Sequence, residues 1–212
     1  MRRNMSSITS LLAGTALFML GNGPLPTILG IQLAEAAAPT WLIGLIMSQY
    51  YAGTVIGSLY GHRLIYAVGH IRAFTAFGST MSAVTLAHAF VAEPWTWAVF
   101  RFAVGVCAVG MFMCIESWLN SRASNNTRGQ TLSIYIIVVY LFSGLGQFLI
   151  LVPDQGGLKV YAALSILMSF AIVPIAVTRL PAPILTKPQR FSFVKLWKTS
   201  PSGMTSSLMA GI

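Results

Sequence analysis

Arg101 is the residue that most demands a chemical account. It stands inside the apolar run Trp95–Trp118, about two turns from its start, where an ionised side chain costs roughly 3 kcal/mol or more in lipid. A guanidinium there either contacts a substrate or counter-ion in a water-filled cavity or snorkels outward, helped by Glu93 or Trp97. The first reading is favoured. Glu116 lies near the far end of the same run, about 22 Å away at 1.5 Å per residue, so the two cannot pair. Its natural partners are Arg63 or Arg72, a pairing that would latch an inner gate; the bland alternative is an exposed interfacial acid. In the first apolar run, Gly21-Asn22-Gly23-Pro24 predicts a break or kink at mid-span. Backbone groups freed there survive in lipid only where protein or a cavity satisfies them. Asn22, Arg101 and Gln147 are therefore the candidate polar lining of a cavity.

Other chemistries find little support. Cys107 and Cys114 are seven residues apart in one apolar run, so their Cα atoms would lie about 10 Å apart on one helix, too far for a disulfide. Two thiols without a nearby histidine make no metal site, and they read as packing residues. An intramembrane serine protease needs an embedded serine and a histidine base. Ser143-Gly144 mimics the first, but no histidine follows it, His88 sits near the outer end of the third apolar run, and His62 and His70 fall in the loop before that run. The chain is not expected to be an enzyme and needs no cofactor.

The elements that must position these residues are set by composition. Of 212 residues, 56% are hydrophobic and 8% charged, against about 25% charged in an average soluble domain. Six runs approach the roughly 17–25 residues a membrane helix needs: about 8–33, 41–59, 73–91, 95–118, 132–152 and 160–177. The expected fold is all-α, a polytopic membrane protein of six transmembrane helices. Arg2 and Arg3 ahead of the first run imitate a signal peptide, but that run is too long for one and is read as an uncleaved first helix.

The net charge of +9 is an orientation code and not a nucleic-acid footprint. Arg2, Arg3, Arg63, Arg72, Arg122 and Arg128 fall on one side of the membrane, as do Arg179, Lys187, Arg190, Lys195 and Lys198. The other side receives Lys159 with Glu35, Glu93 and Asp154. The positive side is cytoplasmic, which puts both the N-terminus and the C-terminal tail there. Trp41, Trp95 and Trp97 are expected at the outer interface and Trp118 at the inner one. Residues 179–202 read as a cytoplasmic linker, either a short helix on the anionic inner surface or a solvated connection. Residues 203–212 read as the start of a seventh helix cut short, so a fragment is expected; a chain that ends naturally here, not transporting or pairing with another half, is the alternative.

Gly53, Gly57 and Gly61 recur every four residues on the second span, a stripe that lets another backbone approach closely. Gly144 and Gly146, beside Ser143 and Gln147, give the fifth span a similar patch. The arrangement resembles the N-terminal half of a major facilitator superfamily transporter. The loop Leu64–Arg72 is similar to that superfamily's signature loop, although only Gly69 and Arg72 match it clearly, and Arg101-Phe102-Ala103-Val104-Gly105 matches its fourth-helix pattern. Gly69–Phe74, Glu116–Asn120, Arg128-Gly129-Gln130 and Gly146-Gln147 resemble the YcaD-type branch. The resemblance implies two six-helix bundles built of inverted three-helix repeats around a central cavity, in a bacterial inner membrane. It implies transport of a small solute, with a proton as the candidate coupling ion. It also implies a cytoplasmic gate around Arg63, Gly69, Arg72 and Glu116. Gly53, Gly57, Gly61, Gly144 and Gly146 then pack against the absent second bundle, or against a second copy of the chain.

Overall fold

The computed structural model describes residues 2–123, 127–152, 157–177, 197 and 200–210. Among them the secondary structure is entirely helical. The helices are α1 (Arg2–Asn22), α2 (Leu25–Glu35), α3 (Thr40–Val68), α4 (His70–Ala87), α5 (Pro94–Arg122), α6 (Arg128–Gly146), α7 (Leu158–Ala176) and α8 (Pro201–Ala210), with a 3-10 turn over Gln147–Leu151. Most of the expected linker, 179–202, lies outside the described residues. α8 covers most of the segment read as the start of a further helix.

Five segments are long and apolar enough to cross a membrane: Ile8–Glu35, Thr40–Val68, Pro94–Ser121, Arg128–Leu151 and Leu158–Ala176. The third expected span, α4, is shorter at 18 residues, about 27 Å at 1.5 Å per residue, and opens on His70 and Arg72. It packs on α5 and α7 as a full member of the bundle.

The first segment bends where the sequence places glycine and proline. Pro24 sits in the helical region (φ −78°, ψ −16°) but has no N–H to continue the ladder. Gly23 N–H still reaches Met19 O at 2.8 Å, and Ile28 N–H reaches Pro24 O at 3.0 Å, so the axis kinks without unwinding. Two boundaries differ from expectation for a related reason. α3 runs on through His62 and Arg63, and α4 begins at His70, so the expected inner loop contracts to Gly69. Its φ of 87° and ψ of 162° fall in a region essentially reserved for glycine.

The helices pack in the order α6, α1, α7, α4, α5, α3, with α3 on α5 the most extensive pair. Exchanging spans one, two and three for spans four, five and six leaves this order unchanged. The closest approaches repeat in the same way. A β-carbon on Gly53 would collide with Phe102 O, and one on Gly105 with Tyr50 O. A β-carbon on Gly146 would lie 2.7 Å from Leu20 O, and one on Gly23 2.8 Å from Ser143 O. In each crossing, each glycine meets the carbonyl three residues before the opposing glycine.

This corrects the assignment of the glycine stripe to an outside partner. Gly53 and Gly57 are filled from within the chain, against the α5 backbone at Phe102 and Val106, and a β-carbon on Gly61 would lie 3.4 Å from the Met113 sulfur. Gly146 is filled by α1. Gly144 alone of the five faces open space. The faces of α3 and α6 turned away from the bundle carry large side chains instead, among them Tyr51, Val55, Ile137 and Tyr140.

The tryptophans divide similarly. Trp41 and Trp95 are exposed and lie 6.4 Å apart at one end of the bundle. Trp97 and Trp118 are buried, not interfacial anchors. Positions 95 and 97 are about 200° apart around a helix, so only one of them can face outward.

Gly53→Ala is expected to destabilise the bundle by about 1–3 kcal/mol, the usual cost of overpacking, whereas Gly144→Ala should be near neutral. Reversible unfolding of both variants in bicelles measures the contrast, and equal losses would contradict the packing described.

Candidate functional site

The kink at Gly23-Pro24 leaves a backbone carbonyl to be satisfied, and the first residue after α6 supplies the partner. Gln147 Nε2 donates to Gly23 O at 2.9 Å, while Ser143 and Gly146 lie against the same turn. Inside lipid such a partner is a requirement, since no water reaches the freed carbonyl. Only a small residue at position 146 lets α6 approach closely enough to deliver the amide.

One residue before the kink, Asn22 is half-buried and its side chain approaches the Tyr50 hydroxyl on α3. The Arg101 guanidinium lies over the Tyr50 ring, 4.8 Å from its centroid. Arg101 is 4% exposed and its Nε has no partner. The arginine thus does not reach outward to Glu93. That carboxylate instead caps α5, accepting from Thr96 N and Thr96 Oγ1 at 2.8 Å each, and these bonds hold it below its ordinary carboxylate value. A cation resting on an aromatic face inside the bundle is stabilised by the ring quadrupole and keeps N–H donors for another group.

Asn22, Arg101 and Gln147 were identified separately, on three spans. The structure brings the first two together through Tyr50 and places the third on the adjoining turn. Tyr50 was missed from the sequence, where Tyr50-Tyr51 near the middle of an apolar run is indistinguishable from lipid-facing aromatics. The signal lay in its spacing: Tyr50 stands three residues before Gly53, and its carbonyl is the group that Gly105 must accommodate.

At the opposite end from Trp41 and Trp95, α3, Gly69, α4 and the end of α5 come together. The expected pairing of Glu116 with Arg63 or Arg72 is not formed. Glu116 accepts from the Tyr135 hydroxyl of α6 at 3.2 Å, Arg63 lies over its own neighbour Tyr60 at 5.0 Å, and Arg72 is exposed. Glu116 and Arg63 each find a partner closer at hand. The buried polar contact of this end is one the sequence did not announce: His70 Nε2 lies 2.9 Å from Ser117 Oγ. His70 is 3% exposed, with Nδ1 unpartnered and its ring against Trp118. Cys107 and Cys114 are buried free thiols, as packing residues should be. Among the described residues no group of three metal-ligating side chains converges.

No family model matches the chain, and no solved structure matches it. Curated relatives do. Proteins named uncharacterized MFS-type transporter YcaD from Salmonella arizonae, Salmonella newport and Salmonella typhimurium are each 28% identical to it over 170 residues, 80% of this chain. The matched segment is 44% of each relative, so the chain spans about half the length of the curated relatives it matches. By this likeness and its several apolar helices, the chain is similar to the matched half of proteins named MFS-type transporters.

Proposed function

We propose that the chain supplies the first six-helix bundle of a secondary transporter, which moves a small solute across a bacterial inner membrane by alternating access. The observation that carries this reading is the convergence of Asn22, Tyr50 and Arg101 beside a kinked first span in a chain similar to proteins named MFS-type transporters. Broken helices and buried ionisable groups mark substrate sites in transporters, because both are costly in lipid unless a cavity uses them.

In this reading α4 completes six spans, and the end bearing Arg63, Arg72 and Arg128 faces the cytoplasm, as do the N-terminus and the residues after α7. Asn22, Arg101 and Gln147 line the cavity, with a proton as the candidate coupling ion. Arg63, Gly69, Arg72 and Glu116 form the cytoplasmic gate, with Gly69 as the turn between α3 and α4. The second bundle, or a second copy of this chain, covers the exposed faces of α3 and α6 at Tyr51, Val55, Tyr140 and Leu141.

Two experiments test this. Single cysteines replacing Glu93 and Arg72, in a background lacking Cys107 and Cys114, should react with an impermeant maleimide from the periplasm and the cytoplasm respectively. Labelling of both from one side would remove the topology. In cells carrying the chain with a second bundle, Arg101→Ala should lower solute uptake at least about tenfold, the loss of a charge-assisted contact, with membrane insertion unchanged. Unimpaired uptake would remove Arg101 from the substrate cavity.

A further inference from the structure

Among the described residues the Arg101 guanidinium makes no hydrogen bond or ion pair; the side chain is 4% exposed and rests on the Tyr50 ring. A ring face returns only part of what enclosing an ion costs, and a counter-charge is what offsets the rest. The carboxylates nearest in sequence are committed elsewhere. Glu93 bonds Thr96 at the start of α5, and Glu116, about 22 Å along the same helix, accepts from Tyr135.

The donors left free fit one kind of group. Of the three guanidinium nitrogens only Nε is sealed without a partner; the two terminal nitrogens are unbonded among the described residues and are not sealed. A guanidinium donates and never accepts, and its paired N–H groups match a carboxylate or phosphate in a bidentate fork. The Tyr50 hydroxyl and the Asn22 amide beside it add neutral donors. A cationic ligand would face the guanidinium, and a neutral one would leave its charge unbalanced.

The group also lies close to an open face. Tyr51 packs edge-on against Tyr50, ring centroids 5.5 Å apart, and is 69% exposed on the side of α3 turned away from the bundle. Asn22 is half-buried. The guanidinium thus sits one ring beneath an accessible surface.

We propose that Asn22, Tyr50 and Arg101 bind the oxyanion of a small organic acid, a carboxylate or phosphate taken by the terminal nitrogens of Arg101. This rests on the transport reading and narrows its solute to an anion. Equilibrium binding tests it without transport. The intact chain, labelled with ¹⁵N-arginine in nanodiscs of zwitterionic lipid, is titrated with benzoate, phenyl phosphate and benzamide, the last having nearly the shape of benzoate but no charge. The Arg101 Nε resonance is assigned by its loss in Arg101→Lys. If that variant does not insert, Tyr50→Leu, which removes the ring beneath the guanidinium, identifies the same resonance by its displacement.

Benzoate or phenyl phosphate should move the Arg101 resonance saturably, the tighter of the two identifying the oxyanion. Benzamide should bind at least about tenfold more weakly, the difference a charge-assisted contact makes. Tyr50→Phe should weaken the better anion about fivefold, the loss of one neutral hydrogen bond. No saturable shift with either anion, an equal response to benzamide, an affinity unchanged by Tyr50→Phe, or movement of all arginine resonances alike would each overturn the proposal. The two readings fail separately. Uptake that depends on Arg101 without anion binding would overturn the anion assignment and leave transport standing. Anion binding with uptake unimpaired in Arg101→Ala would remove transport through this site and leave the binding assignment standing.

Discussion

Two helix crossings set opposed glycines backbone to backbone, and the geometry of the site follows from those two contacts. At one, Gly53 of α3 and Gly105 of α5 face each other; at the other, Gly23 and Gly146 join the kinked first span to α6. Lipid offers no hydrophobic drive for helices to associate, so van der Waals contact must supply it, and glycine maximises that contact by letting the axes approach. The close approach also places side chains. Tyr50 can lie beneath Arg101 because α3 and α5 are separated by backbone alone, and Gln147 can reach Gly23 O because α6 rests on the kink without an intervening β-carbon.

The recurrence of one contact in the two crossings expresses the internal symmetry of the bundle. Each glycine opposes the carbonyl three residues before its partner glycine, in both places. The pairing of α4 with α7 maps onto itself under the same exchange. There Ser82 Oγ contacts Ser165 Oγ at 2.7 Å, Ser169 Oγ at 2.8 Å and Ser165 O at 2.9 Å, a cluster of hydroxyls that satisfy one another where water is absent. The symmetry is broken where chemistry is concentrated. Four residues before Gly105 stands Arg101, whereas four before Gly23 stands Met19, so one crossing carries a buried cation and the other a proline kink.

Much of the architecture was legible in the residue pattern. Long apolar runs between basic clusters require membrane helices, because a backbone in lipid must satisfy its own hydrogen bonds. The kink was readable from Gly23-Pro24, and Arg101, Asn22 and Gln147 stood out because polar groups in such runs are costly. Element ends were read less well. Arg63 and Arg72 looked like loop residues, yet one positive-φ glycine makes the whole turn and both arginines ride on helices.

What the sequence by itself determined is therefore the kind of element, its position along the chain and the identity of the costly polar groups, since each follows from local free energies of transfer and hydrogen bonding. What only the tertiary structure decided is which face of each helix is inside. A stripe of glycine reads the same whether its partner is another span, a second bundle or another copy of the chain, and here α5 and α1 had already filled it. Trp97 and Trp118 looked like interfacial anchors but point into the bundle. His88, placed by the sequence only near the outer end of a span, is buried with its ring stacked on Tyr161. Facing is decided by long-range packing between segments distant in the chain, and no local pattern encodes it when both faces of a membrane helix are apolar.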